Sequence, residues 1–419
     1  MFDRKLQQAY SRRRLLLRGA QVAAVGTGAG LLSGCVTPPV ALVANSVQAG
    51  HGITPRALPP LPAGSPYAAP MPPLDVKIGQ MLMVGFRGVS APENSAIVRT
   101  IREQHVGAVV LFEYNISPSL QASATLRNLT GALQTAALQV AEIPLLIAID
   151  QEGGQVTRLR EAYGFPRTVS AGYLGALNDV DATYSFADAM ASSLADHGVN
   201  LNLAPVVDVN VNPRNPVIGA YERSFSADPE TVTTQATAFV RAHHDHGVLC
   251  TLKHFPGHGS STGDTHLGFV DVTDRWSEEE LTPYRRFIQA GATDAIMTAH
   301  IYNAKLDREL PATLSRPIIT GLLREQLGYQ GVVISDDMQM RAISKYYDFE
   351  HAVQAAVLAG VDILAIANSL TYSGDAAARA HAAIRALVDD GRIAEERIDA
   401  SYARIMALKQ RMGTPRVML

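Results

Sequence analysis

Val248-Leu249-Cys250-Thr251-Leu252-Lys253-His254 is a short apolar run that ends in two polar side chains. It opens into the glycine-rich loop Phe255-Pro256-Gly257-His258-Gly259-Ser260-Ser261-Thr262-Gly263-Asp264-Thr265-His266. An apolar run of this length predicts a strand buried on both faces, as in a parallel sheet. Seven more runs share the form, at 78–86, 107–112, 144–150, 199–208, 294–300, 331–336 and 361–368. Between them lie stretches of helical period, clearest at 120–141, 181–197, 229–246, 277–290 and 318–327. Strand and helix in alternation require parallel pairing with crossovers. Eight units over 74–419 therefore predict an α/β fold: a single (β/α)8 barrel of the TIM type, with no second sandwich domain.

Asp150, Asp208, Lys253, His254, His300, Asp336 and Asn368 all fall at the carboxyl ends of these runs. Such barrels keep their chemistry on that face. In the loop that follows, Asp264 stands two residues before His266. A carboxylate bonded to one ring nitrogen leaves the other free to pass a proton near neutral pH. Asp264 and His266 are thus candidate proton-transfer residues, and a loop-stapling hydrogen bond is the plainer alternative.

The first 73 residues have another character. Arg4, Lys5, Arg12, Arg13, Arg14 and Arg18 precede an uncharged stretch at 19–32, the layout of an export signal. Ser11-Arg12-Arg13-Arg14-Leu15-Leu16 resembles a twin-arginine signal, and Leu32-Ser33-Gly34-Cys35 resembles a bacterial lipobox with Cys35 as the acylated residue. Residues 1–35 are therefore expected to be a lipoprotein signal peptide, and the proline-rich segment 36–73 a tether. The expected location is the periplasmic side of the cell envelope, with the outer membrane favoured because Val36, not Asp, follows Cys35.

Residues 1–34 carry six cations and one acid, so their removal takes the net charge from -3 to -8. That balance argues against nucleic acid as a partner. Cys250 is the only other cysteine and sits in an apolar run, so it is expected to be a buried small hydrophobe. A protein without disulfides must be held by its core, and this chain is long enough to build one.

Several motifs occur together in order: Asp150-Gln151-Glu152-Gly153-Gly154-Gln155-Val156-Thr157-Arg158, Arg223-Ser224-Phe225, Lys253-His254-Phe255-Pro256-Gly257-His258-Gly259, Asp264-Thr265-His266 and Ser335-Asp336-Asp337-Met338. In this the chain resembles glycoside hydrolase family 3, and within it the bacterial β-N-acetylglucosaminidase branch. The resemblance runs from about residue 74 to 409. It implies an exo-acting, retaining β-N-acetylhexosaminidase that removes terminal β-linked N-acetylglucosamine from peptidoglycan fragments or chitooligosaccharides through a covalent glycosyl-enzyme. It casts Asp336 as the nucleophile, His266 as the acid/base and Asp264 as its orienting partner. Asp150, Arg158, Arg223, Lys253 and His254 would bind sugar hydroxyls, although either arginine could instead be a structural ion-pair partner.

Asp337 is the ambiguity beside Asp336, since strand alternation forbids both from facing the pocket equally. A β-glucosidase or a β-glycoside phosphorylase on the same barrel, and a non-catalytic sugar-binding lipoprotein, are the alternatives. No cofactor and no metal are expected, and the expected state is a monomer. His243, His244 and His246 with Asp245 look metal-like, but they close a helix whose carboxyl end suits imidazoles. Glu278-Glu279-Glu280 reads as a solvated helix start, and 392–409 as a surface helix pair.

Overall fold

The computed structural model describes residues 71–413, all within one compact unit, Leu58–Leu419. The expected signal over 1–35, Cys35 and nearly all of the tether over 36–73 lie outside the described residues. Among the described residues no helix is long and apolar enough to cross a membrane.

All eight apolar runs contain a strand: β1 (Leu82–Gly85), β2 (Ala108–Leu111), β3 (Leu146–Ile149), β4 (Leu201–Asn202), β5 (Leu249–Phe255), β6 (Ala295–Thr298), β7 (Val332–Ile334) and β8 (Leu364–Ile366). Every strand residue is buried, because the sheet is covered by side chains inside and helices outside. The order β7-β6-β5-β4-β3-β2-β1-β8 is parallel throughout. A parallel bridge between Ile334 and Ile363 joins the two ends, so the sheet closes into the expected (β/α)8 barrel.

The helices follow the periodic stretches. Ala122–Ala141 turns Leu126, Leu129, Leu133 and Ala137 inward at intervals of three and four. Pro229–Asp245 starts where Asp228 accepts the amide of Thr231 at 2.9 Å and proline takes the first turn. The stretch expected at 318–327 forms a wide π-type helix, Pro317–Gln326, with Leu327 N donating to Leu322 O at 3.0 Å.

Two expectations are corrected. Residues 392–409 are not a surface pair but one helix, Glu395–Lys409, that buries Ile398, Tyr402, Ile405 and Met406. Its Ser401 and Arg404 bond the buried carboxylate of Asp362, which also accepts from Val333 N, tying this helix to the β7–β8 closure. Its last residue, Lys409, donates to Gln80 Oε1 (2.7 Å), Gly107 O (2.8 Å) and Pro144 O (2.7 Å), three groups just ahead of β1, β2 and β3 at the floor of the barrel. The second correction concerns Glu280. It belongs to a short 3-10 turn, Glu278–Leu281, and is wholly buried, not solvated.

Candidate active site

Because the strands are parallel, the loops after them gather at one mouth. Asp150 follows β3 directly, Lys253 and His254 lie within the last turns of β5, and His300, Asp336 and Asn368 each stand two residues past β6, β7 and β8. Asp208 lies farther on: β4 stops at Asn202, and an irregular stretch that bridges β5 through Val206 and Lys253 leads to it.

A chain of opposite charges lines one side. Lys253 Nζ donates to Asp150 Oδ1 and lies equally close to Glu152 Oε1, both at 2.7 Å. Glu152 in turn receives a bidentate pair from Arg223 Nε and Nη2, each at 2.7 Å, a geometry that fixes both planes. Arg158 bridges Asp150 (3.5 Å) and Glu113. Burial alone would raise Asp150 and Glu152, but the surrounding cations hold both carboxyls below the usual range. Burial would likewise lower Lys253, and Asp150 and Glu152 reverse it. The side chains of Asp150 and Arg158 keep 18% and 16% exposure, against 2% for Lys253 and 5% for Glu152. The first two therefore keep contact with solvent, and the second two lie deeper.

Asp208 is the centre of the next group. It accepts His254 Nδ1–H at 2.7 Å and the backbone N–H of His258 at 2.7 Å, and the charge and hydrogen bonds of His254 and His258 hold its carboxyl low despite burial. Glu280 Oε2 takes the amides that follow, those of Gly259 (3.0 Å) and Ser260 (3.3 Å). Burial beside Asp208 pushes the Glu280 carboxyl up to about 8. Three consecutive amides of the loop are thus held from beneath by two buried carboxyl groups. The His258 ring reaches Thr265 Oγ1 at 3.3 Å, which fastens the base of this loop to the residue beside His266.

His266 itself is at the open side of the mouth, with half its side chain exposed. Asp264 Oδ1 accepts both its backbone N–H and its Nδ1–H at 2.8 Å, leaving Nε2 free. Burial would lower the His266 pKa, but Asp264, aided by the charge of Asp336, raises it above the ordinary imidazole value.

The two aspartates after β7 are clearly distinguished. Asp337 Oδ1 accepts the amides of Gln339 (3.1 Å) and Ala367 (3.0 Å), so its carboxyl is spent joining the β7 and β8 loops; burial pushes it up to about 6. Asp336 is only partly buried. Desolvation would raise it, yet the imidazoles of His300, His254 and His266 and the amide of Asp337 (2.8 Å) hold it below the usual carboxylate range. His300 Nε2 donates to Asp337 O at 2.9 Å.

The structure therefore brings Asp150, Arg158, Arg223, Lys253, His254, Asp264, His266 and Asp336 to one mouth. Asn368 belongs to its frame: its side chain joins Gly85 O, Gln339 and Ser373 N. The sequence reading gave Glu152 and Glu113 no role in the site and took Glu280 for a solvated residue. Only Glu152 had a signal, standing two residues after Asp150. The histidines of the metal-like cluster diverge: His243 bonds Phe239 O and Asn202, His244 bonds Asp294, and His246 bonds Asp188. Cys250 is buried and unbridged, as expected.

A closed (β/α)8 barrel with paired acids, cations and an Asp–His couple at its carboxyl mouth has the layout of an enzyme active site. Residues 73–408 match the glycosyl hydrolase family 3 N terminal domain, and the chain belongs to that family. It is 37% identical over 372 residues to a β-hexosaminidase A of Pseudoalteromonas piscicida, covering 80% of this chain and 60% of that one. A β-hexosaminidase of Tolumonas auensis is 38% identical over 64% of this chain and 78% of its own. Among solved structures, a family 3 β-N-acetylglucosaminidase from Paenibacillus sp. FPU-7 superposes with a TM-score of 0.75 at 40% identity, over 83% of this chain and 64% of that one. A β-N-acetylhexosaminidase from Beutenbergia cavernae gives 0.73 at 32%, over 81% of this chain and 99% of that one. The chain thus spans less than two thirds of the Pseudoalteromonas and Paenibacillus proteins and nearly all of the Beutenbergia one.

Proposed function

We propose that this protein is an exo-acting, retaining β-N-acetylhexosaminidase that removes terminal β-linked N-acetylglucosamine from chitooligosaccharides or peptidoglycan fragments. The observation that carries the reading is the pairing of a low-pKa carboxylate, Asp336, with a half-exposed imidazole, His266, whose Nδ1 is held by Asp264 and whose Nε2 is free. In this reading Asp336 attacks the anomeric carbon as its bond to the bridging oxygen breaks, and His266 Nε2 gives its proton to that oxygen. Neutral His266 then takes a proton from water as the water attacks the glycosyl ester, which frees Asp336 and recharges the imidazole.

The sugar is held by Asp150 and Arg158, two part-exposed members of the charged chain, with His254 and Arg223 beside them and Lys253 fixing Asp150 from behind. Such bonds grow stronger as positive charge develops on the ring. The names of the relatives support the N-acetyl sugar. The order of basic block, apolar stretch and Cys35 supports export, and the reading extends to a monomer anchored by lipid at Cys35.

The test is release of sugar from a panel of aryl β-glycosides, with and without inorganic phosphate. Release of N-acetylglucosamine in preference to glucose, unchanged by phosphate, is expected. Sugar-1-phosphate as the main product would overturn hydrolysis, and binding without turnover would make the protein a sugar-binding lipoprotein.

A further inference from the structure

Beyond the charged mouth, on the side of His266, three rings from three different loops meet at the surface. Phe269 follows β5, Tyr302 follows β6 and Tyr346 follows β7. The Phe269 and Tyr302 centroids are 5.3 Å apart, and those of Phe269 and Tyr346 are 6.0 Å apart. Phe269 and Tyr346 are 50% and 52% exposed, and Leu267 beside them is 41% exposed. Isolated exposed rings need no explanation, but a contiguous group at the edge of a site does.

This group is built into the same loop as the Asp264–His266 couple. Ala342 N donates to Thr265 O at 3.1 Å, and Tyr302 N and Val272 N exchange bonds with Val270 O and Tyr302 O at 2.8 and 2.9 Å. The segment 265–272 is thereby clamped between the β6 and β7 loops. Its polar side gives His266, which feels the charge of Asp336. Its apolar side gives Leu267 and Phe269, within three residues of the proton donor.

We propose that Phe269, Tyr346 and Tyr302 form the platform for the leaving sugar, so that the substrate is an oligosaccharide whose second pyranose ring lies against these rings. The inference rests on the function proposed above. A proton donor must sit at the bridging oxygen, so the ring beyond that oxygen lies past His266, opposite to Asp150 and Arg158. A pyranose offers a face of C–H groups, and an exposed ring is the surface that such a face desolvates well. The Lys345 ammonium, 5.6 Å from the Tyr346 centroid, borders the platform and suits a leaving sugar that bears a carboxylate.

The experiment compares two substrates with the same terminal N-acetylglucosamine: the β-1,4-linked disaccharide, and the β-glycosyl fluoride, whose leaving group is one atom. Phe269→Ala and Tyr346→Ala are each expected to lower kcat/KM for the disaccharide about tenfold and to change that for the fluoride less than about twofold. Tyr346→Phe, which keeps the ring, is expected to match wild type on both. Equal losses on both substrates, or no loss on either, overturn the platform while wild-type cleavage keeps the proposed function standing. A wild-type protein that cleaves neither substrate overturns the function and this inference with it.

Discussion

Asp264 Oδ1 holds His266 at two points, the backbone N–H and the ring Nδ1–H, each at 2.8 Å. One oxygen thus fixes both where the ring stands and which nitrogen is free. Because this carboxylate raises the His266 pKa, the protonated donor persists above the pH at which an ordinary imidazole loses its proton. Activity should fall on the alkaline side as pH rises through that raised value. Asp264→Asn should draw the alkaline limb of kcat/KM to lower pH, and His266→Ala should lower kcat by about 10²–10⁴-fold. An Asp264→Asn profile coincident with wild type would show that the couple does not set the proton donor.

The neighbours Asp336 and Asp337 should separate under the same change. Asp336→Asn removes the proposed nucleophile and is expected to cut kcat on the order of 10⁴-fold or more, with thermal stability kept. Asp337→Asn keeps an oxygen for Gln339 N and Ala367 N, the two amides that join these loops. It should cost at most about 1 kcal/mol of stability and leave much of the activity. Calorimetry and initial rates on the two variants decide the assignment, and the reverse pattern would transfer the nucleophile to Asp337.

Glu280 should impose a pH dependence on stability. Its pKa lies near 8 in the fold against an ordinary 4.5, so between these values the folded state holds a proton that the unfolded chain has released. Its contribution is complete below about pH 4.5 and is lost as pH rises through 8. Glu280→Gln is always neutral and keeps an oxygen for Gly259 N and Ser260 N. Denaturation midpoints at pH 5 and 8.5 should therefore lie closer together in the variant than in wild type. An unchanged difference would mean that Glu280 is already charged in the fold.

At the barrel floor, Lys409→Met keeps the length of the side chain and removes its three donated bonds. Gln80 Oε1 and Pro144 O then lose this donor away from water, while Gly107 O keeps only Leu146 N. A loss of about 3 kcal/mol is expected, read as a lower melting temperature with kcat unchanged, since the substitution lies at the end opposite the mouth.

The barrel was legible because strands buried on both faces leave unbroken apolar runs, and each of the eight contains one. The run 199–208 was read too long. Only Leu201–Asn202 forms a regular strand, and beyond it the chain bonds β3 and β5 irregularly, through Leu203 N to Ile149 O, Thr251 N to Ala204 O and a parallel bridge of Val206 with Lys253. The charged mouth was legible residue by residue, but its wiring was not. Nothing local in Glu278-Glu279-Glu280 marks the third acid for burial: that follows from amides twenty residues away. Strand alternation could not choose between Asp336 and Asp337, because the choice is made by Ala367 on the neighbouring strand's loop.

Lys409 has a consequence for how the molecule comes into being. The groups that it satisfies flank the first three strands, yet it is the last residue of the last helix. A growing chain that has emerged only as far as β7 lacks both the strand that seals the barrel and the ammonium that serves its floor. Fragments that end before β8 are left with an open sheet edge, and those that end before residue 409 leave Gln80 Oε1 and Pro144 O without their donor, so the finished barrel needs the chain through residue 409.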